Sequence, residues 1–191
     1  MIPQIIAHRG ASYLAPENTL AAFRKAMEIG ADGVEMDVQK TLDGGLVIHH
    51  DYIIDLHTDI SGRIYDMTEG ELKDLDFGSW KDVAYKDEKI ATLAEALALC
   101  RSMEGCTVQL ELKSTMDNDP AFVSGVVDAI RAADIADRLV LSFVQPRPAA
   151  AGQGADAGTA GGRAAVRRIR EHGAAAAGHL EGPGPGERHG G

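Results

Sequence analysis

The chain has 191 residues, a net charge of -10, and 45% hydrophobic but only 5% aromatic residues. That acidic balance argues against a nucleic-acid partner and favours a body that attracts cations. No apolar run approaches the ~18 residues of a membrane helix, and no basic segment followed by an apolar one marks a secretory leader, so a soluble, cytoplasmic protein is expected.

Taken in chain order, Ile2 to Ala7 reads as a first strand that ends at His8. Pro16-Glu17-Asn18-Thr19 opens a helix, with Thr19 or Asn18 as cap and Leu20, Phe23 and Met27 at helical spacing. Gly30 ends it, and Gly33 to Val38 forms the second strand. Asp43-Gly44-Gly45 is a turn before a third strand, Leu46 to His49. Residues 51–89 are too long and polar for a simple connection. They read as an insertion with a small helix around Glu69 to Leu75 behind a capping box, Thr68 to Glu71, placed to cover a ligand. Thr92 caps the next helix, Val108 to Leu112 is a fourth strand, Pro120 starts a helix, and Leu139 to Phe143 is a fifth strand. Five strands alternating with helices predict a parallel α/β sheet. A closed barrel needs eight. Cys100 and Cys106 have no nearby His at zinc spacing and read as a buried or idle thiol pair.

Several strands carry charge where apolar residues are the norm. Residues two apart on a strand face the same way, so Glu35 and Asp37 point together, away from Val34, Met36 and Val38. Gln109, Glu111 and Lys113 share a face in the same manner. Three carboxylates at strand ends suit a hard divalent cation; the competing interpretation is an ion-pair cluster with Lys113 and Arg9. His8 and His50 end two strands and can divide general acid and base work. Arg9 and Lys113 are suited to hold a phosphate. His49 should face opposite to His50 and is assigned no role, so His49→Ala should spare the chemical step. His57, in the insertion, is assigned none either.

His8-Arg9-Gly10, Pro16-Glu17-Asn18-Thr19, Gly33-Val34-Glu35-Met36-Asp37-Val38, His50-Asp51 and Glu111-Leu112-Lys113 stand in one order. Together they resemble the signature of the glycerophosphodiester phosphodiesterases over about residues 3 to 143. The resemblance implies a TIM (β/α)8 barrel, of which the first five strands are present here. It implies hydrolysis of a small-molecule glycerophosphodiester to an alcohol and glycerol 3-phosphate, by way of a cyclic phosphate. It also implies one divalent cation, Ca2+ or Mg2+, on Glu35, Asp37 and Glu111. His8 and His50 would be acid and base, Arg9 and Lys113 phosphate contacts, and Asn18 a support for the loop. A phospholipase D-like phosphodiesterase of the same barrel type is a rival, disfavoured by the insertion.

The chain divides into 1–145, the N-terminal part of such a domain, and 146–191, a tail of mostly Ala, Gly, Pro and Arg. The tail's only large aliphatics are Val166, Ile169 and Leu180. It cannot bury enough apolar surface to order itself and is expected to be disordered, save for a turn-rich helix at Arg163 to His172. The sequence from Pro146 to Arg163 can be back-translated so that a shift of one nucleotide reads RALRRLAKALTPELPVG, an amphipathic helix, a turn and a strand start. A frameshifted, truncated enzyme, inactive as a fragment, and a real flexible tail are the two explanations.

Overall fold

The computed structural model describes residues 3–114 and 119–143, together with the backbone of Arg167–Arg168. The elements are β1 (Ile6–Ala7), α1 (Leu20–Glu28), β2 (Gly33–Lys40), β3 (Leu46–Ile48), α2 (Glu69–Asp74), β4 (Ala91–Thr92), α3 (Leu93–Ser102), β5 (Thr107–Leu112), α4 (Pro120–Ala132), β6 (Leu139–Phe143) and β7 (Arg167–Arg168). They build one mixed sheet in the order β4-β3-β2-β5-β6-β7, with β1 pairing β2.

Each helix begins where a side chain can accept a hydrogen bond from an otherwise unpaired amide. Thr19, not Asn18, caps α1 by accepting from the Ala22 amide. Thr68 with Glu71 and Thr92 with Glu95 form complete capping boxes at α2 and α3. Asp119 caps α4, whose first turn holds Pro120. The capped helices present Phe23 and Ala26 of α1, Leu97 and Cys100 of α3, and Phe122, Val126 and Ile130 of α4 to one face of the sheet. There they meet Val34, Met36 and Val38 of β2, Val108, Leu110 and Leu112 of β5, and Leu139 and Leu141 of β6. Each fully buried large side chain contributes about 1.5–3 kcal/mol by leaving water. Cys100 and Cys106 are both free thiols buried in this core.

The insertion has a core of its own. Val47, Ile54, Ile64, Leu72, Phe77 and Ile90 pack into a second cluster that pins residues 51–89 beside β3. No helix among the described residues is long and apolar enough to cross a membrane.

Two expectations need correction. β3 is not a further parallel strand but runs antiparallel to β2, pairing Val38 with Ile48 and Lys40 with Leu46. The link through Asp43-Gly44-Gly45 is a hairpin turn, and a parallel return needs a crossover of a dozen or more residues. The parallel part of the sheet is therefore β1, β2, β5 and β6. Second, Arg167–Arg168 lie extended and antiparallel to Val140 and Leu141 rather than helical. The rest of the expected tail, residues 146–166 and 169–191, lies outside the described residues.

Candidate active site

The parallel register decides which charged groups meet. β2 and β5 pair Glu35 with Gln109 and Asp37 with Glu111. Since Val34, Met36 and Val38 are committed to the helices, alternation sends Glu35, Asp37 and Glu111 to the opposite face. One carboxylate oxygen from each lies within 4.8 Å of the others. Glu35 and Asp37 are buried, and Glu111 is half-buried.

Burial, and the Asp37 carboxylate beside it, push the Glu35 carboxyl up to about 7. Lys113 partly offsets the crowding, with Nζ 2.7 Å from Glu111 and 3.4 Å from Asp37. Burial disfavours the Lys113 ammonium, but those two carboxylates outweigh it and hold its pKa above the usual lysine range. Arg9 Nε stands 3.7 Å from Asp37. The ion-pair cluster foreseen as an alternative is thus present, built on the same carboxylates. An all-oxygen donor set with excess negative charge is also the chemistry a hard divalent cation requires, so the residues present fit one.

The loop after β1 is shaped by the same cluster. Ile6 and Ala7 pair with Gly33 and Val34, which sets His8 beside Glu35, with Nε2 3.9 Å from Oε2. Arg9 is held in the left-handed region at φ 58. Its amide donates to Glu35 Oε2 at 2.9 Å, and its carbonyl accepts from the Asn18 amide at 3.0 Å. These bonds stabilise a conformation non-glycine residues rarely adopt. Gly10 follows at φ +77, and a Cβ there would lie 2.8 Å from the α1 backbone at Ala22. Only glycine allows that approach. Arg9 Nη1 donates to Glu17 at 2.8 Å, while its buried Nε has no hydrogen-bond partner. A buried guanidinium N–H left without an acceptor is suited to an anionic ligand. Asn18 binds Asp37 through both ends of its amide.

His50 lies past the end of β3, and its Nδ1 is 2.7 Å from Asp51 Oδ1. Burial opposes the Asp51 carboxylate, but the His50 bond outweighs it and holds the carboxyl below its ordinary range. Tyr52 donates to the Ser114 carbonyl at 3.2 Å, tying this loop to the end of β5.

All eight residues singled out from sequence belong to this region. Glu35, Asp37, Glu111, Lys113, Arg9, Asn18 and His8 are joined by the contacts above, and His50 enters on the adjoining loop with Asp51. Sequence reasoning gave no separate role to Glu17, Asp51 or Tyr52. Asp51 carried a signal, as the immediate neighbour of His50; Glu17 and Tyr52 carried none, because their partners are decided by loop paths. His49, assigned no role, is buried and contacts His57.

A sequence model described as the Glycerophosphoryl diester phosphodiesterase family matches residues 8–147. A glycerophosphodiester phosphodiesterase of Caldanaerobacter subterraneus is 41% identical over 138 residues, 72% of this chain and 56% of that protein. The human glycerophosphodiester phosphodiesterase 1 is 47% identical over 97 residues, 50% of this chain and 29% of that protein. Among solved structures, an Oleispira antarctica phosphodiesterase in complex with the product sn-glycerol-3-phosphate superposes with a TM-score of 0.68 at 41% identity. The match covers 74% of this chain and 57% of that one. A glycerophosphodiester phosphodiesterase from Agrobacterium tumefaciens gives a TM-score of 0.67 at 32% identity, over 74% and 58%. The sheet described here is a partial TIM barrel of that type, and the chain spans little more than half the length of these solved chains.

Proposed function

The chain belongs to the glycerophosphoryl diester phosphodiesterase family, and on that premise we propose that its site serves metal-dependent hydrolysis of glycerophosphodiesters to an alcohol and glycerol 3-phosphate. The observation that carries the reading is the convergence of Glu35, Asp37 and Glu111 within 4.8 Å, next to two cations and His8. Those carboxylates would hold one divalent cation, Ca2+ or Mg2+, which when bound offsets the charge of the phosphate.

The chain's own groups then divide the work. Arg9, whose Nε has no hydrogen-bond partner, and Lys113 bind the phosphate oxygens. Asn18 fixes Asp37 in place. His50 turns Nδ1 to Asp51, which leaves Nε2 as its basic nitrogen. It takes the proton from the glycerol C2 hydroxyl as that oxygen attacks phosphorus. The bond from phosphorus to the departing alcohol breaks, and His8 protonates that alcohol's oxygen. A cyclic phosphate results. His8 then accepts a proton from water as the water oxygen attacks phosphorus, the bond from phosphorus to the C2 oxygen breaks, His50 returns its proton to that oxygen, and glycerol 3-phosphate is released. Each proton transfer contributes about 10²–10⁴-fold.

The test is release of glycerol 3-phosphate from glycerophosphocholine by the purified chain with Ca2+ or Mg2+, and its arrest by EDTA. The coverage of 56% of a relative's length supports a second reading. In it the chain binds cation and phosphate without turnover. Calorimetric titration with CaCl2 beside the activity assay separates the two: heat of binding with no product favours the second.

A further inference from the structure

His49 and His57 form a buried contact that the chemistry above does not use. Both are under a tenth exposed. His49 Nε2 is 3.1 Å from His57 Nδ1, and His49 Nδ1 is 2.8 Å from the Asp51 carbonyl oxygen. The polarity of this chain of bonds follows by elimination. A carbonyl oxygen only accepts, so His49 Nδ1 carries a proton and donates. His49 is buried with no carboxylate hydrogen-bonded to its ring, and an unpaired charge in such a place is disfavoured, so the ring is neutral. Its Nε2 is then a bare acceptor, and His57 Nδ1 must be the donor. Hydrogen bonds thus run from His57 to His49 to the backbone of Asp51.

The end of the relay is the residue that holds His50. Asp51 offers its carboxylate to His50 Nδ1 at 2.7 Å. Its carbonyl accepts from Gln39 Nε2 at 2.8 Å as well as from His49. Gln39 also donates to the His49 carbonyl at 2.7 Å, and the His49 amide donates to the Asp37 carbonyl at 2.9 Å. Gln39 and Asp37 belong to β2, the strand that carries the carboxylates. The other end of the relay rests in the insertion. The His57 ring meets the Trp80 ring edge-on, with centroids 4.5 Å apart, and the His49 ring meets Phe77 at 5.7 Å. Phe77 belongs to the insertion's own core.

We propose that His57 is a positioning residue for His50, acting through His49 and the backbone of Asp51, so that the packing of the insertion sets the orientation of a proton-transferring histidine. This rests on the assignment of His50 to proton transfer, and it deepens that assignment. A neutral imidazole chooses between two tautomers according to its hydrogen bonds. While Asp51 is held, its carboxylate keeps the proton on His50 Nδ1. When Asp51 is released, His50 samples both tautomers.

The test is nitrogen NMR of the full chain labelled at histidine. In the unsubstituted chain, His49 and His57 should each show a protonated Nδ1 and a bare Nε2; a bare Nδ1 on either overturns the relay without any variant. His57→Leu removes the donor and should convert the separated nitrogen signals of His50 to averaged ones. His57→Asn, whose amide N–H can reach the same acceptor, should restore the separation. Unchanged His50 signals in His57→Leu, or no recovery in His57→Asn when both are folded by circular dichroism, would overturn the positioning role. Because the readout is the His50 ring and not turnover, it stands apart from the proposed chemistry, which activity loss in His50→Ala tests separately.

Discussion

Asn18 holds Asp37 from two directions. Its Nδ2 donates to Asp37 Oδ2 at 2.9 Å, and its Oδ1 accepts from the Asp37 amide at 3.3 Å. Asn18 sits at φ 58, a conformation asparagine tolerates better than most residues. Partners behind a ligating carboxylate typically change metal affinity about 10–100-fold. Asn18→Gly keeps the backbone comfortable and removes the amide, so its Ca2+ affinity should fall at least about 10-fold. Calorimetric titration with CaCl2 checks this; wild-type affinity in Asn18→Gly would remove Asn18 from the support of the site.

The acid–base assignment predicts a matched pair of losses. In a chain read through in the alternative frame after residue 145, glycerophosphocholine hydrolysis should appear. His8→Ala and His50→Ala should each lower kcat by about 10²–10⁴-fold in that chain. Sequencing the coding DNA around Val144 to Arg147 decides whether the frame is disrupted. If the present 191-residue chain turns over as fast as the restored one, the fragment reading is wrong.

His49 predicts a pH dependence of stability. Burial, above all, lowers its pKa from 6.5 to about 4. The folded state therefore binds the proton less readily than the unfolded one. The group's contribution is complete above about pH 6.5 and is lost as pH falls through about 4, worth roughly 3 kcal/mol over that window. His49→Gln, which cannot titrate, should flatten the decline of the urea midpoint between those limits. An equally steep decline in the variant would assign it to other groups.

Gly33 pairs with Thr107 at the start of the two strands that carry the carboxylates. A Cβ there would lie 2.2 Å from Thr107 Oγ1 and 2.3 Å from the Thr107 carbonyl oxygen. Because backbone as well as side chain stands in the way, Gly33→Ala should destabilise by about 1–3 kcal/mol or more. It should also weaken cation binding, since the pairing that sets Asp37 opposite Glu111 must shift. Urea denaturation and CaCl2 titration on one preparation measure both; stability within error of wild type would show that the strands adjust freely.

The sequence by itself determined what depends on near neighbours along the chain. Alternation told that Glu35 and Asp37 face away from Val34 and Met36, capping residues marked helix starts at Thr19, Thr68 and Thr92, Pro120 marked another, and the ordered motifs named the family. Tertiary structure decided everything that depends on where loops return. The register that sets Asp37 beside Glu111 links residues 74 positions apart, and no local pattern specifies it. The antiparallel course of β3 follows from a tight hairpin whose flanking strand looks the same in either direction. The bond between His49 and His57 depends on how the insertion folds back over its own small core. Local propensities act within a few residues, whereas these contacts arise from the packing of segments that chain order alone does not bring together.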